Sequence, residues 1–267
     1  MKNLSIIVCL MRWTKAMNKK ALHFVTGMIV LIISWQLIIW IGQFNEALFP
    51  GPVVVFQALV VLISDGTLFV HLKDSLFRFT IGYVLAVVTA VGTGLLLGRS
   101  KIIWQIIDPI VQILRPISPV AWSPFVVLAF GIGDAPAIVI IFIAAFFPVL
   151  LTTVKGVKNI EPHYMKLAEN LQFSKLDLYK KVIFPAALPS IMNGLHLALG
   201  TAWIFLVAGE MVGAQSGLGY LIVDARNMLH LPNVLAGIVV IGVCGYLLDR
   251  LISYIQIGFK RFTRIHL

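Results

Sequence analysis

The sequence predicts an all-α fold: a polytopic membrane protein with about six transmembrane helices. Three observations carry that expectation. Of 267 residues, 60% are hydrophobic and only 12% are charged, and the mean hydropathy is +0.97. A soluble domain carries about 25% charged residues and needs that polar surface to cover its core. The apolar surface here must face lipid instead. Second, apolar runs recur at the length of roughly 20 residues that one crossing requires, with room for five to seven helices. No series of short alternating strands suggests a closed barrel, so helices are the spanning element. Third, the basic residues are distributed very unevenly along the chain.

Taken in order, residues 1–20 form a polar, basic segment with Lys2, Arg12, Lys15, Lys19 and Lys20. The apolar run Leu4–Met11 is too short to cross. Ala21–Ile41 is too long for the core of a signal peptide, and no Ala-x-Ala-like cleavage site follows it. It reads as the first span, opening a permease-sized unit over 21–267. Val53–Ile63 is apolar but short, and reads as an interfacial helix. The second span is expected over Ser75–Gly98. The third runs from Ile102 toward Phe130 and is interrupted by Pro109, Pro116, Pro119 and Pro124, with a turn near Arg115–Pro124 as the alternative. The fourth is expected over Pro136–Val154, the fifth over Leu188–Ala208 and the sixth over Val234–Ile257.

With the N-terminus inside, the inner segments hold 16 of the 21 basic residues, and the outer segments hold only Lys73 and Arg226. The positive-inside rule then places both termini in the cytoplasm. It also accounts for the net charge of +10 without a nucleic-acid partner. Cys9 and Cys244 lie far apart in apolar surroundings and form no disulfide framework. The six histidines show no metal-ligand spacing, and no catalytic cluster is visible. The tryptophans fall mostly near expected membrane interfaces.

The longest polar stretch inside, Lys155–Lys181, is organised. Pro162 stands where a helix can begin. Tyr164, Leu167, Ala168 and Leu171 then recur at helical spacing as one apolar stripe. Gln172 and Phe173 interrupt it. Ser174 to Asp177 resembles a capping box with Asp in the usual Glu position. Leu176, Tyr179 and Ile183 carry a second stripe. Pro185 is expected to end that helix and Pro189 to start the next span. Two readings of this segment stand at this point: a pair of helices lying on the bilayer surface, or a knob that fits a groove on another protein.

Lys166 to Pro185 resembles the EAA motif of the permeases of binding-protein-dependent ABC importers. That motif reads Glu-Ala-Ala, three residues, Gly, nine residues, then Ile-x-Leu-Pro. Here Lys166-Leu167-Ala168, Gln172 and Val182-Ile183-Phe184-Pro185 occupy those positions with matching spacing. Lys166 stands where Glu is usual and Gln172 where Gly is usual. A glycine there would permit a left-handed turn, which Gln172 makes costlier. The resemblance continues through Phe49-Pro-Gly-Pro52, His71 to Arg78, Asp108-Pro109, Leu114 to Pro119, Phe130 to Asp134, Phe147-Pro148, Ala186 to Leu195, Ala208-Gly-Glu210 and Ser216 to Gly219. As a set these blocks are similar to the permeases for nitrate, taurine, aliphatic sulfonates and thiamine precursors.

That resemblance implies a type I ABC importer permease (MetI-like) fold in the bacterial cytoplasmic (inner) membrane. It implies a second permease copy, a cytoplasmic ATPase dimer that binds ATP and Mg, and an extracytoplasmic solute-binding protein. The segment 160–185 would be the coupling segment, with Tyr164, Lys166, Leu167, Ala168, Leu171, Gln172, Phe173, Ser174 and Pro185 meeting the ATPase. The chain itself is expected to hold no cofactor and to be no enzyme. The glycine run Gly92 to Gly98 lacks the Gly-Lys-Ser/Thr of a phosphate loop, and Gly94 and Gly98 suit close helix packing. Charged groups inside spans need partners or water. Arg115 is the candidate to face an anionic solute, with a structural ion pair to Asp108 as the alternative. Glu210 is read either as shaping a gate or meeting the binding protein, or as an ordinary interfacial carboxylate. Arg78 and Arg250 lie near span ends, where snorkelling suffices. The substrate stays open between a small anion and a thiamine-precursor-like molecule. A membrane-embedded enzyme would need a converging polar cluster, and a secondary transporter would want an internal repeat; neither is visible.

Overall fold

Every regular element among the described residues is helical. The computed structural model describes residues 22, 23, 25–43, 45 and 48–265, with side chains described as far as residue 258. The basic segment 1–20 and Cys9 lie outside them. The elements are α1 (Val25–Gly42), α2 (Pro52–Ser64), α3 (Thr67–Arg99), α4 (Lys101–Leu114), a 3₁₀ turn (Pro119–Trp122), α5 (Ser123–Phe130), α6 (Asp134–Lys158), α7 (Pro162–Asn170), α8 (Lys175–Leu178), a π segment (Tyr179–Ile183), α9 (Phe184–Gly213), α10 (Leu218–Asn227) and α11 (Leu231–Ile265). Among the described residues, five helices are long and apolar enough to cross a membrane, and six if the bent pair α4–α5 counts as one.

The centre of the molecule is a layer of three helices, with α6 between α3 and α9. Small residues make that layer possible. Gly82, Ala86, Ala90, Gly94 and Gly98 recur every fourth position on α3 and are all buried. They form a smooth stripe along which a second helix backbone can approach, the usual device where lipid removes the hydrophobic drive for helix association. A Cβ on Gly94 would come within 2.7 Å of Thr153 Cβ on α6. The reading of Gly94 and Gly98 as packing positions therefore holds. On its other side, α6 meets α9 through small residues contributed by both helices, at the contacts Gly156–Ser190 and Gly209–Ala137. The short helix α2 packs Val55 and Leu62 inward, against α11.

Three boundaries differ from the sequence expectation. α3 begins at Thr67, eight residues before Ser75. The polar residues His71, Lys73 and Asp74 delayed the expected start, but hydropathy reports the lipid-facing part of a helix and not its hydrogen bonds. The third apolar run bends by 86° between α4 and α5, at the Arg115–Pro124 turn held as the alternative. Pro116 and Pro119 remove donors there, and Ser118, with ψ of 130°, leaves the helical region as a residue before proline prefers to. Third, Pro185 does not end a helix, and Pro189 does not start one. The chain is helical without a break from Lys175 to Gly213. The π segment immediately before Pro185 explains this. A proline ring clashes with the carbonyl four residues back, here Lys181, and a π turn widens the ladder at that place.

Candidate functional sites

The polar segment folds as an elbow at one end of the three-helix layer. Glu161 is the N-cap of α7, and Pro162 opens it. α7 then closes with a Schellman motif: Gln172 N–H donates to Glu169 O (2.9 Å) and Phe173 N–H to Ala168 O (3.1 Å). This motif needs a left-handed residue at the position after the cap, and Gln172 adopts it with φ of 51°. The chain thus keeps the turn a glycine would favour and accepts the strain of a side chain there, about 1 kcal/mol. The expected cap is present too. Ser174 Oγ accepts from Asp177 N–H at 3.2 Å and donates to the Asp177 carboxylate at 2.6 Å. Lys181 Nζ sits 2.8 Å from the same carboxylate. Lys181 and Ser174 together hold the Asp177 carboxyl below its ordinary range.

The first apolar stripe divides on folding. Tyr164, Leu167 and Leu171 stay exposed, at 43%, 54% and 57%, whereas Ala168 is buried at 3%. Ala168 therefore belongs to the inner side of the elbow and does not share the outward face with the other three. Lys166, Gln172 and Ser174 are exposed, and Phe173 is half-buried beneath the Lys181 ammonium, 5.4 Å from its ring. The second stripe divides as well: Leu176 is 64% exposed, whereas Tyr179 and Ile183 turn inward. Ile183 joins Val157, Ala187 and Ile191 in a small core, with Met165, Leu178 and Tyr179 packed around it. That core welds the elbow to the ends of α6 and α9. Pro185 lies in the first turn of α9, so the elbow runs into that long helix with no loop between.

Midway along the layer, a cavity of about 600 Å³ opens between the α4–α5 bend, α6 and α9. Its walls include Phe147, Pro148, Thr152, Thr201 and Phe205, and Arg115 is its one charged lining residue. The Thr152 hydroxyl donates to Pro148 O and the Thr201 hydroxyl to Ala198 O, so both are already spent as donors on the backbone. Arg115 is exposed and forms no ion pair among the described residues. The alternative pair with Asp108 is not formed: that carboxylate accepts from Gln112 Nε2 at 3.3 Å, one turn away.

At the end of the layer away from the elbow, four separated sequence blocks converge on Arg78. This side chain is 2% exposed. Its Nε donates to Asp134 at 2.6 Å, its Nη1 to Glu210 at 2.8 Å and to Ser216 O at 2.7 Å, and its Nη2 to Ser216 Oγ at 2.6 Å. Glu210, 1% exposed, also accepts from Ser75 Oγ and from Gly219 N–H at 2.9 Å. Leu218 N–H donates to Ser75 Oγ, and Gly217 N–H to His71 Nδ1 at 3.0 Å. Gly217 is required at its place: its φ is 101°, and a Cβ there would run into the Glu210 carboxylate. Two expectations are corrected by this cluster. Arg78 does not snorkel; it is buried, and each of its three nitrogens donates to a partner. Glu210 is not an interfacial carboxylate, because this chain encloses it completely. The interlocking was missed because the partners of Arg78 lie 56 to 138 residues away in the chain. The one available signal was that the blocks His71–Arg78, Phe130–Asp134, Ala208–Glu210 and Ser216–Gly219 each contain a polar group inside or beside an apolar run. Arg250, by contrast, is exposed and bonds Tyr246 Oη one turn back at 3.0 Å, as a snorkelling residue would.

The chain has relatives along most of its length. It is 31% identical over 261 residues to the taurine transport system permease protein TauC of Escherichia coli, covering 96% of this chain and 94% of that one. It is 38% identical over 192 residues to the nitrate import permease protein NrtB of Leptolyngbya laminosa, covering 72% and 69%. In the solved inward-facing methionine ABC transporter MetNI, one chain superposes with a TM-score of 0.60 at 21% identity, over 73% of this chain and 94% of that chain. At that identity the likeness shows the fold, which is the MetI-type fold expected. Residues 82–261 match the family described as the binding-protein-dependent transport system inner membrane component. Two-thirds of the sequence is thus accounted for by one family, and the chain belongs to it: it is a multi-pass permease subunit of an ATP-binding cassette importer, a transport component that works with an ATPase and a solute-binding protein.

Proposed function

We propose that two copies of this chain form a path for a small anion across the bacterial cytoplasmic membrane, with both termini and the elbow on the cytoplasmic side. The ATPase pair grips the elbow from below and holds ATP and Mg; the solute-binding protein delivers the solute from the other side. The observation that carries this reading is mechanical. The exposed Tyr164–Leu167–Leu171 face sits on a short helix welded by the Ile183 core to α9, and α9 contributes Leu197, Thr201 and Phe205 to the Arg115 cavity. A displacement of the elbow is therefore delivered to a wall of that cavity through one unbroken helix. Alternating access follows where the two arrangements differ by a few kcal/mol.

Arg115 supports an anion as the solute. A lone guanidinium deep in the membrane costs at least about 2.5 kcal/mol unless water or a counter-charge meets it. The cavity offers no carboxylate, so a passing nitrate or sulfonate would supply the missing charge, and a cationic precursor would be repelled. NrtB is named for nitrate and TauC for taurine, whose sulfonate group carries the same kind of charge. In this reading Gly94 and Gly98 on α3 serve packing against α6, and ATP is the partner's.

The elbow's outward face is the place to test. In the double variant Leu167→Asp/Leu171→Asp, both changes fall on exposed positions and spare the inner core. The variant is expected to insert and purify normally but to lose the ATPase on co-purification. Retention of the ATPase by that variant would remove the docking role. Ala168→Asp is the poorer test, since it places a charge at a buried site and disturbs the elbow itself.

A further inference from the structure

A second cavity, of about 390 Å³, lies between the elbow and the ends of α3, α4 and α6. Its floor is apolar, made by Gly98, Val157, Ile160, Met165 and Ile183; its rim carries Arg99, Lys101 and Lys158. We propose that this cavity binds the phosphate group of an anionic phospholipid from the cytoplasmic leaflet, beside the elbow. The proposal rests on the orientation given above.

Three features point to an anionic ligand. No carboxylate lines the cavity, and none pairs with any of the three cations among the described residues. Arg99 and Lys158 end α3 and α6, where a cation suits the helix dipole. Lys101 does not have that explanation. It is the first residue of α4, with no acidic residue in that first turn, and so adds positive charge to the positive end of a helix. Ser100 already caps the Ile103 N–H of α4, so an anion seated there would satisfy the Lys101 ammonium and the N–H groups that this cap leaves over. Lys158 is also set in place: its Nζ lies 4.8 Å over the ring of Trp104, which is itself buried.

The surroundings favour a lipid over a free phosphate ion. Ile102 and Ile106 continue from the rim along α4 and are 72% and 65% exposed. A headgroup in the cavity would leave its acyl chains against that apolar face. Basic pockets between helices on the cytoplasmic side suit anionic headgroups for this reason.

The test uses the full chain with its ATPase, reconstituted in vesicles of phosphatidylcholine and phosphatidylglycerol, extracted, and read by native mass spectrometry. The wild type is expected to retain phosphatidylglycerol in preference to phosphatidylcholine. The triple variant Arg99→Gln/Lys101→Gln/Lys158→Gln is expected to retain about tenfold less or lower. A control removing three elbow cations, Lys175→Gln/Lys180→Gln/Lys181→Gln, is expected to keep it. Equal loss in both variants would mean a diffuse effect of basic charge and would overturn the site. Displacement of the lipid by inorganic phosphate, with phosphate bound in lipid-free detergent, would overturn the lipid as its occupant. ATPase co-purification and anion uptake, measured on the same samples, check that the triple variant is folded. They also separate a failure of this site from a failure of the transport reading.

Discussion

Two of this chain's arginines, Arg78 and Arg115, are treated in opposite ways. Arg78 has two carboxylates, a hydroxyl and a carbonyl around it and is 2% exposed. Arg115 borders an open cavity with no ion-pair partner among the described residues. The chemistry of the two side chains is identical, so the difference lies in what the fold has built around each. Arg78 is neutralised in advance and ties α3, α6, α9 and the start of α10 together. Arg115 has no partner of that kind, which is why we propose that it meets the solute. A charged residue in a membrane segment is thus not by itself a sign of transport; the one its own chain satisfies is architecture.

The comparison can be broken most severely at Arg78. Arg78→Met leaves Glu210 buried without its counter-charge, and the loss of one partner from a buried pair costs about 3–5 kcal/mol. The expected result is a large fall in the yield of folded protein and in its thermal stability, measured on the purified complex. If Arg78→Met unfolds no more easily than wild type, the cluster is not what holds that end together. Arg115→Gln comes next and should act on a different readout. Its stability is expected to match wild type, while uptake of the anion in vesicles falls about tenfold or more, the value of a charge-assisted hydrogen bond worth roughly 1.5–3 kcal/mol. Arg115→Lys should restore part of the rate; equal uptake by all three would take Arg115 off the path. The smallest effect is expected from Asp134→Asn. Its side chain is 55% exposed, so water takes over much of its role, and a stability loss of about 1 kcal/mol or less is expected from the same melting experiment. A loss as large as that of Arg78→Met would show that the exposed half of the cluster matters as much as the buried half.

The sequence made the long apolar helices and the place of the elbow legible, because both are written in local hydropathy and spacing. Tyr164, Leu167 and Leu171 share one face whatever surrounds them, and Ser174 caps α8 through a residue three positions away. What stayed hidden depended on distant partners. The contacts that turn Arg78 from a snorkelling side chain into the keystone of four blocks span more than a hundred residues of chain, and no periodicity encodes them. Ala168 shows the same limit on a smaller scale. Helical spacing puts it near the stripe, but only the docking of α7 decides that it turns inward. Gln172 is the instructive middle case. Its position announced a left-handed turn and its identity argued against one, and the Schellman hydrogen bonds decided for the turn.

The widened turn ahead of Pro185 has a geometric consequence of its own. Each residue of an α-helix advances the azimuth by about 100°, and a π turn takes in one residue more per ring than the α ladder does. The extra residue in Tyr179–Ile183 therefore shifts the phase of everything upstream relative to α9. The compass bearing at which the elbow leaves the membrane is set by that single insertion, and shortening the segment by one position would swing the elbow around the helix axis while leaving every side chain of α9 where it stands.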